Sequence, residues 1–334
     1  MKRLFKLAFT LLLAAVLVFT FTACGKEDVQ TIRVAEVTHS LFYAPQYVAI
    51  SEGFFEEEGL NVELTTTWGG DKTMTALLSD GADIALVGSE TTIYVYAQGA
   101  SDPVINFAQL TQTDGTFLVA REEHDNFTWD QLQGSTFLGQ RKGGMPQMVG
   151  EFVLKNKGID PQNDLNLTQN IDFANIANAF ASGTGDYVQL FEPTASIFEK
   201  EGKGHIVASF GEQSGMVPYT TFMSKQTFMK DNPEAIEKFT RALYKAQQWI
   251  QTHSAEEIAA SISSFFEDTD ADIMVTVIDR YKSQGSYATD PVLDVAEWEN
   301  LQNIMDEAGE LPARVDHSTL VNTSIAETVI KESK

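Results

Sequence analysis

The 334-residue sequence holds one cysteine, Cys24, and 23 basic against 47 acidic side chains. A lone cysteine excludes an intrachain disulfide framework. A formal charge of −24 leaves too few clustered Lys and Arg to neutralise a phosphate backbone, which argues against nucleic-acid binding. Catalytic signatures are also missing. There is no H-E-x-x-H, no Ser-His-Asp set with a nucleophile elbow, and no Lys-Ser/Thr after the Gly-rich stretch at 139–146 to make a P-loop. His39, His124, His205, His253 and His317 are too scattered to suggest a metal site, and no cofactor is expected. Long apolar runs are absent except for one, Leu7–Phe21, which is shorter than the roughly 20 residues of a spanning helix.

That single run is informative. Lys2, Arg3 and Lys6 precede it, and Phe21-Thr22-Ala23-Cys24 closes it, the pattern of a secretory signal over 1–23. Cys24 stands where a lipobox places its lipidated cysteine, although Phe21 replaces the usual Leu. A diacyl anchor there would hold an acidic body at the extracytoplasmic face of the cell membrane. Residues 24–31 read as the lipidated cysteine and a polar tether. The polar end, TVIKESK, offers no spanning helix of the kind a membrane sensor would carry after its extracellular domain.

The body of the chain is globular in composition, with 43% apolar and 21% charged residues in the whole sequence, and long enough for two domains. TIRVAEV (31–37) alternates with period two and predicts a strand. APQYVAISEGFF predicts a helix stopped at Gly53. Next comes a strand over Asn61–Thr66, then a helix capped at Asp71 and stopped by Gly81, and then a buried strand, Ile84–Val87. Strand–helix alternation implies parallel pairing covered by helices. It restarts after 130, with a strand at Thr136–Leu138, a helix opening at Pro146, and further strands in LNLTQN and DYVQLF. Residues 216–224 read as a returning strand. In DNPEAIEKFTRALYKAQQWIQTH, Asn232 is the expected cap, and Ile236, Phe239, Leu243, Ala246 and Ile250 form one stripe. The pattern predicts two α/β lobes with a cleft: 32–119 plus 221–334, and 120–220 inserted between them, with crossings near 116–122 and 217–224.

GFFEEEGLNVEL (53–64), LLSDGADIALVG (77–88), LQGSTF (132–137) and NPEAIEKFTRAL (232–243) resemble the signature stretches of solute-binding lipoproteins. These serve nitrate/taurine/sulfonate-type ABC importers, a group that includes binders of thiamine-pyrimidine precursors. The resemblance runs over roughly 32–330, in order. It implies a type II periplasmic-binding-protein fold, capture of a small solute by hinge closure, and delivery to an ABC permease and ATPase by a monomer. A pyrimidine-synthase-like enzyme shares the fold group, but it relies on a cysteine-rich motif that this chain lacks.

In such sheets ligands bind beyond the carboxyl ends of strands. The loops there offer His39 and Tyr43, Trp68 beside Gly69-Gly70, Ser89-Glu90-Thr91, Arg141 with Gly143, Gly144 and Met145, and Glu192. Trp68 and Tyr43 are expected as stacking surfaces. The amides of 143–145 are expected as free donors at a helix start. Glu192 has a structural reading as a helix-terminus carboxylate and a functional one as an acceptor for a donor-rich ligand. Acids at two strand ends favour an amino-heterocycle such as a thiamine-type pyrimidine. A sulfonate, taurine or nitrate would need Arg141 or the amides to dominate.

Overall fold

The computed structural model describes residues 29–333. The signal segment and Cys24 lie outside the described residues. In the first lobe, β1 (Gln30–Glu36) pairs in parallel with β2 (Leu60–Thr66) over seven residue pairs, and with β3 (Ile84–Gly88) on its other side. β3 is buried at all five positions, as a central strand must be, whereas β2 leaves alternate positions open and forms the edge. β4 (Val104–Thr111) and β10 (Thr220–Lys225) complete the sheet in the order β2-β1-β3-β10-β4, with β10 antiparallel to both neighbours. The second sheet is built from β5 (Thr116–Ala120), β6 (Thr136–Leu138), β7 (Asn166–Thr168), β8 (Tyr187–Phe191) and β9 (His205–Ser209). Its order, β7-β6-β8-β5-β9, matches that of the first.

The helix Pro233–Thr252 covers the first sheet. Its expected stripe is buried, and Phe239 sits at 4.8 Å from Phe55, 5.0 Å from Phe222 and 6.0 Å from Phe107 between ring centres. Asn232 does not cap this helix through its side chain. Its amide instead donates to the Phe228 carbonyl at 3.2 Å. Asp71 is likewise a first-turn residue of the helix Gly70–Leu78, not its cap; that position belongs to Gly69.

Two segments join the lobes, and both differ from the predicted crossings. Residues 116–120 are a full strand of the second sheet, paired antiparallel with β8 and β9. The outward step is therefore residues 112–115, ahead of the boundary expected at 119, and the return is 210–219. The two segments run side by side, with Val217 N donating to Gln112 O (3.0 Å) and Tyr219 N to Thr111 O (3.1 Å). Beyond Thr252 the described chain is mostly helical. Its helices Ala271–Ser283 and Val295–Glu307 reach the second lobe, against Thr194–Lys200 and Met145–Asn156 respectively.

Candidate ligand cleft

The carboxyl ends of β1 and β3 and the helix starts that follow them face the loops after β6 and β8. Between them lies a cavity of about 460 Å³ lined from both lobes. The first lobe supplies Tyr43, Gly69-Gly70, Asp71, Met74, Glu90, Thr91 and Tyr94. The second supplies Gln140, Arg141, Lys142, the turn Gly143–Pro146, Phe173 and Phe191. Tyr219 and Thr220 line it from the return crossing and the start of β10. Such a volume suits a small ring or a short organic solute.

Seven of the expected residues meet here: Tyr43, Glu90, Thr91, Arg141, Gly143, Gly144 and Met145. Tyr43 and Glu90 are buried, at 2% and 3% exposure. Glu90 opens the helix Glu90–Ala97, and its carboxyl lies back over Gly88, where any Cβ would overlap it. Oε1 accepts from the Met145 amide of the other lobe at 3.3 Å, and Oε2 has no hydrogen-bond partner. Burial pushes this carboxyl up to about 8, against the opposing pull of backbone donors. It is therefore mostly protonated at neutral pH.

The remaining four stand apart from the lining. His39 packs on Phe266 with ring centres 4.6 Å apart. It shares Nδ1 with Glu36 (3.2 Å) and Tyr47, and places Nε2 on the Phe265 carbonyl at 2.8 Å. Ser89 is fully buried and donates to the Pro218 carbonyl. Trp68 is 44% exposed in a left-handed backbone conformation, φ 59°, beside the lining glycines but outside the cavity. Glu192 takes its structural reading. It accepts from Ser196 N at 2.8 Å at the start of the helix Thr194–Lys200, and pairs with Arg280 from the first lobe's helical extension. Burial raises its carboxyl despite the pull of Arg280.

Two of the three expected anion-donor amides are already engaged. Gly143 N donates to Gln147 Oε1 at 3.0 Å, and Met145 N is held by Glu90. Arg141 reaches across the cleft to Asp71 at 3.0 Å and lies 3.6 Å from Asp172. Sequence reasoning missed Tyr219, Thr220, Tyr94 and Met74. The first two sit where the chain re-enters the first sheet; their sequence marks the returning strand but not that its start lines the cavity. Tyr94 and Met74 look like ordinary helix-face residues.

A family model described as "NMT1-like family" matches residues 26–264. The chain belongs to the NMT1-like family. It is 65% identical over 333 residues, 99% of this chain and 100% of the relative, to "Putative binding protein YtlA" of Bacillus subtilis (strain 168). Among solved structures, the alkanesulfonate-binding protein SsuA of Xanthomonas axonopodis pv. citri, bound to MOPS, is similar in fold. Its TM-score is 0.70 at 17% identity, covering 88% of this chain and 98% of that one. The nitrate-binding protein NrtA of Synechocystis PCC 6803 gives 0.71 at 18%, covering 91% and 89%. This NMT1-like chain thus has the two-lobed periplasmic-binding-protein fold, with its cavity in the cleft between lobes.

Proposed function

We propose that the protein is the extracytoplasmic solute-binding component of an ABC importer, tethered to the cell membrane through lipidated Cys24, acting as a monomer and delivering its solute to a permease and its ATPase. The observation that carries this reading is a cavity whose walls come from both lobes. A solute there touches both walls only when the lobes approach. Its preference for that state shifts the hinge at 112–115 and 210–219. Among the described residues, neither histidine nor cysteine lines the cavity.

For the solute itself we infer an amino-heterocycle, such as a thiamine-type pyrimidine. Flat walls from Tyr43, Phe173, Phe191 and Tyr219 suit an aromatic ring, and Glu90 offers it a polar anchor. Sulfonate or nitrate is the second reading, favoured by Arg141 and Lys142 at the cavity wall. The pairing of Arg141 with Asp71 and Asp172, and the occupied amides of Gly143 and Met145, weigh against it.

Thermal-shift screening of the chain from residue 25 onward separates the two. One panel holds amino-pyrimidines and related heterocycles; the other holds taurine, alkyl and aryl sulfonates, and nitrate. A ligand that binds only the folded state raises the melting temperature by mass action. The expected outcome is stabilisation by the first panel alone. A rise only with the second panel would transfer the site to Arg141, and no rise with either would remove the cavity as a solute site for these classes.

A further inference from the structure

The cavity floor carries an acid with no counter-charge. Glu90 is 3% exposed, its Oε2 has no partner, and its Oε1 holds one amide. Groups around it are neutral. Tyr43 faces it from the turn after β1, Tyr94 from its own helix, and Tyr219 from the return crossing, each raised by burial and further by the Glu90 charge. Glu36 also acts on Tyr43, Asp114 on Tyr219 and Glu310 on Tyr94, so the charges felt by these rings are negative. Of the cavity's cations, Arg141 is matched by Asp71 and Asp172. Neither Arg141 nor Lys142 is among the influences on Glu90. An ionised carboxylate in this setting is costly unless a ligand supplies the missing positive charge.

We propose that Glu90 shares a proton with the ligand, so that the buried pair is neutral overall and a cationic solute enters only as Glu90 gives up its own proton. This role rests on the reading of the cavity as the solute site. For a cation the step is balanced. Glu90 carboxylic acid plus protonated ligand gives a carboxylate–cation pair, and one proton passes to solvent. A neutral base with an N–H donor beside a ring nitrogen enters without proton release. It donates to one carboxyl oxygen and accepts from the protonated other, or takes the proton itself. An anion gains no counter-charge at Glu90, at best accepting from its acid O–H, and forces the acid to stay protonated. The carboxyl's elevated range supports this, since at neutral pH the empty site holds a proton to give.

The test is isothermal titration calorimetry at pH 7 in phosphate and in Tris, buffers of different ionisation enthalpy, with three small probes. Benzamidine is a cation at this pH, 4-aminopyrimidine is a neutral base, and benzenesulfonate is an anion with the ring size of benzamidine. The expected result is buffer-dependent heat for benzamidine, corresponding to release of about one proton per molecule bound. The heat for 4-aminopyrimidine should be buffer-independent, and benzenesulfonate should bind at least tenfold more weakly than benzamidine. Glu90→Gln, which cannot ionise, should lose the proton release and weaken benzamidine more than 4-aminopyrimidine. Buffer-independent benzamidine binding, unchanged release in Glu90→Gln, or preference for benzenesulfonate would each overturn the proposal. Benzenesulfonate preference would still leave solute capture standing. If no probe binds up to millimolar concentration the proposal fails, while solute capture is judged separately by the thermal-shift panels.

Discussion

At the scale of single residues, His39 shows how a strand-end histidine can serve the fold. Both ring nitrogens face acceptors, the Glu36 carboxylate and the Phe265 carbonyl, so the doubly protonated ring fits best. The hydrogen bond to Glu36 is the chief cause of its raised pKa, ahead of the opposing desolvation. The folded state therefore holds the proton more tightly than the unfolded chain. The resulting stabilisation is complete below about pH 6.5 and fades as pH rises through the folded-state value. Thermal melts between pH 5.5 and 9 should show the gap between wild type and His39→Gln narrowing as pH increases; a constant gap would mean that folding leaves the ring's affinity for its proton unchanged. Glu90 and Arg141 are both legible from the loops they occupy. Sequence does not reveal that Asp71, seventy positions earlier, claims Arg141, because pairing across a cleft leaves no mark in local sequence.

Among the elements, the helix Pro233–Thr252 is the easiest to find, and its apolar stripe explains why. Every stripe residue is buried, and Phe239 fills the centre of an aromatic cluster. Phe239→Ala should cost about 3–5 kcal/mol in urea unfolding, as expected for an aromatic ring removed from a packed core. A loss below about 1 kcal/mol would mean the cluster repacks around the gap. β1 is legible in sequence because its apolar and polar residues alternate. β4 is not, because all eight of its residues are buried and polar side chains replace the usual alternation. Asn106 in that strand bonds to Thr92 at 3.0 Å, to the Leu320 carbonyl at 3.1 Å and to Thr221 at 2.6 Å. The last two partners lie far along the chain, so their satisfaction of a buried amide is invisible in sequence. β5 reads as a crossing for a related reason: five residues suffice for a strand only once both neighbours are known.

Across the whole molecule, the lobes are held on two sides of the cleft. One side has Arg141 with Asp71 and the Met145 amide on Glu90; the other has Arg280 on buried Glu192, and Lys200 with Asp270 at 2.8 Å. The exposed pairs are worth little individually. The Arg280–Glu192 pair is different because Glu192 has no exposed surface on its side chain. Arg280→Met should destabilise the protein by about 3–5 kcal/mol by leaving that acid unpaired, and adding Glu192→Gln should recover most of the loss. If the double variant is no more stable than the single one, Arg280 acts through packing on Phe117, which it overlies at 5.3 Å, and not through charge.

The side-by-side placement of β1 between β2 and β3 has a mechanical consequence. Tension on the chain ahead of Gln30 runs along the axis of an interior strand, so the seven register pairs with β2 and the three with β3 bear it together in shear. The second lobe, reached through the two crossings, lies off this load path. A molecule pulled by its leading segment takes the load into its first sheet and leaves the second sheet unloaded.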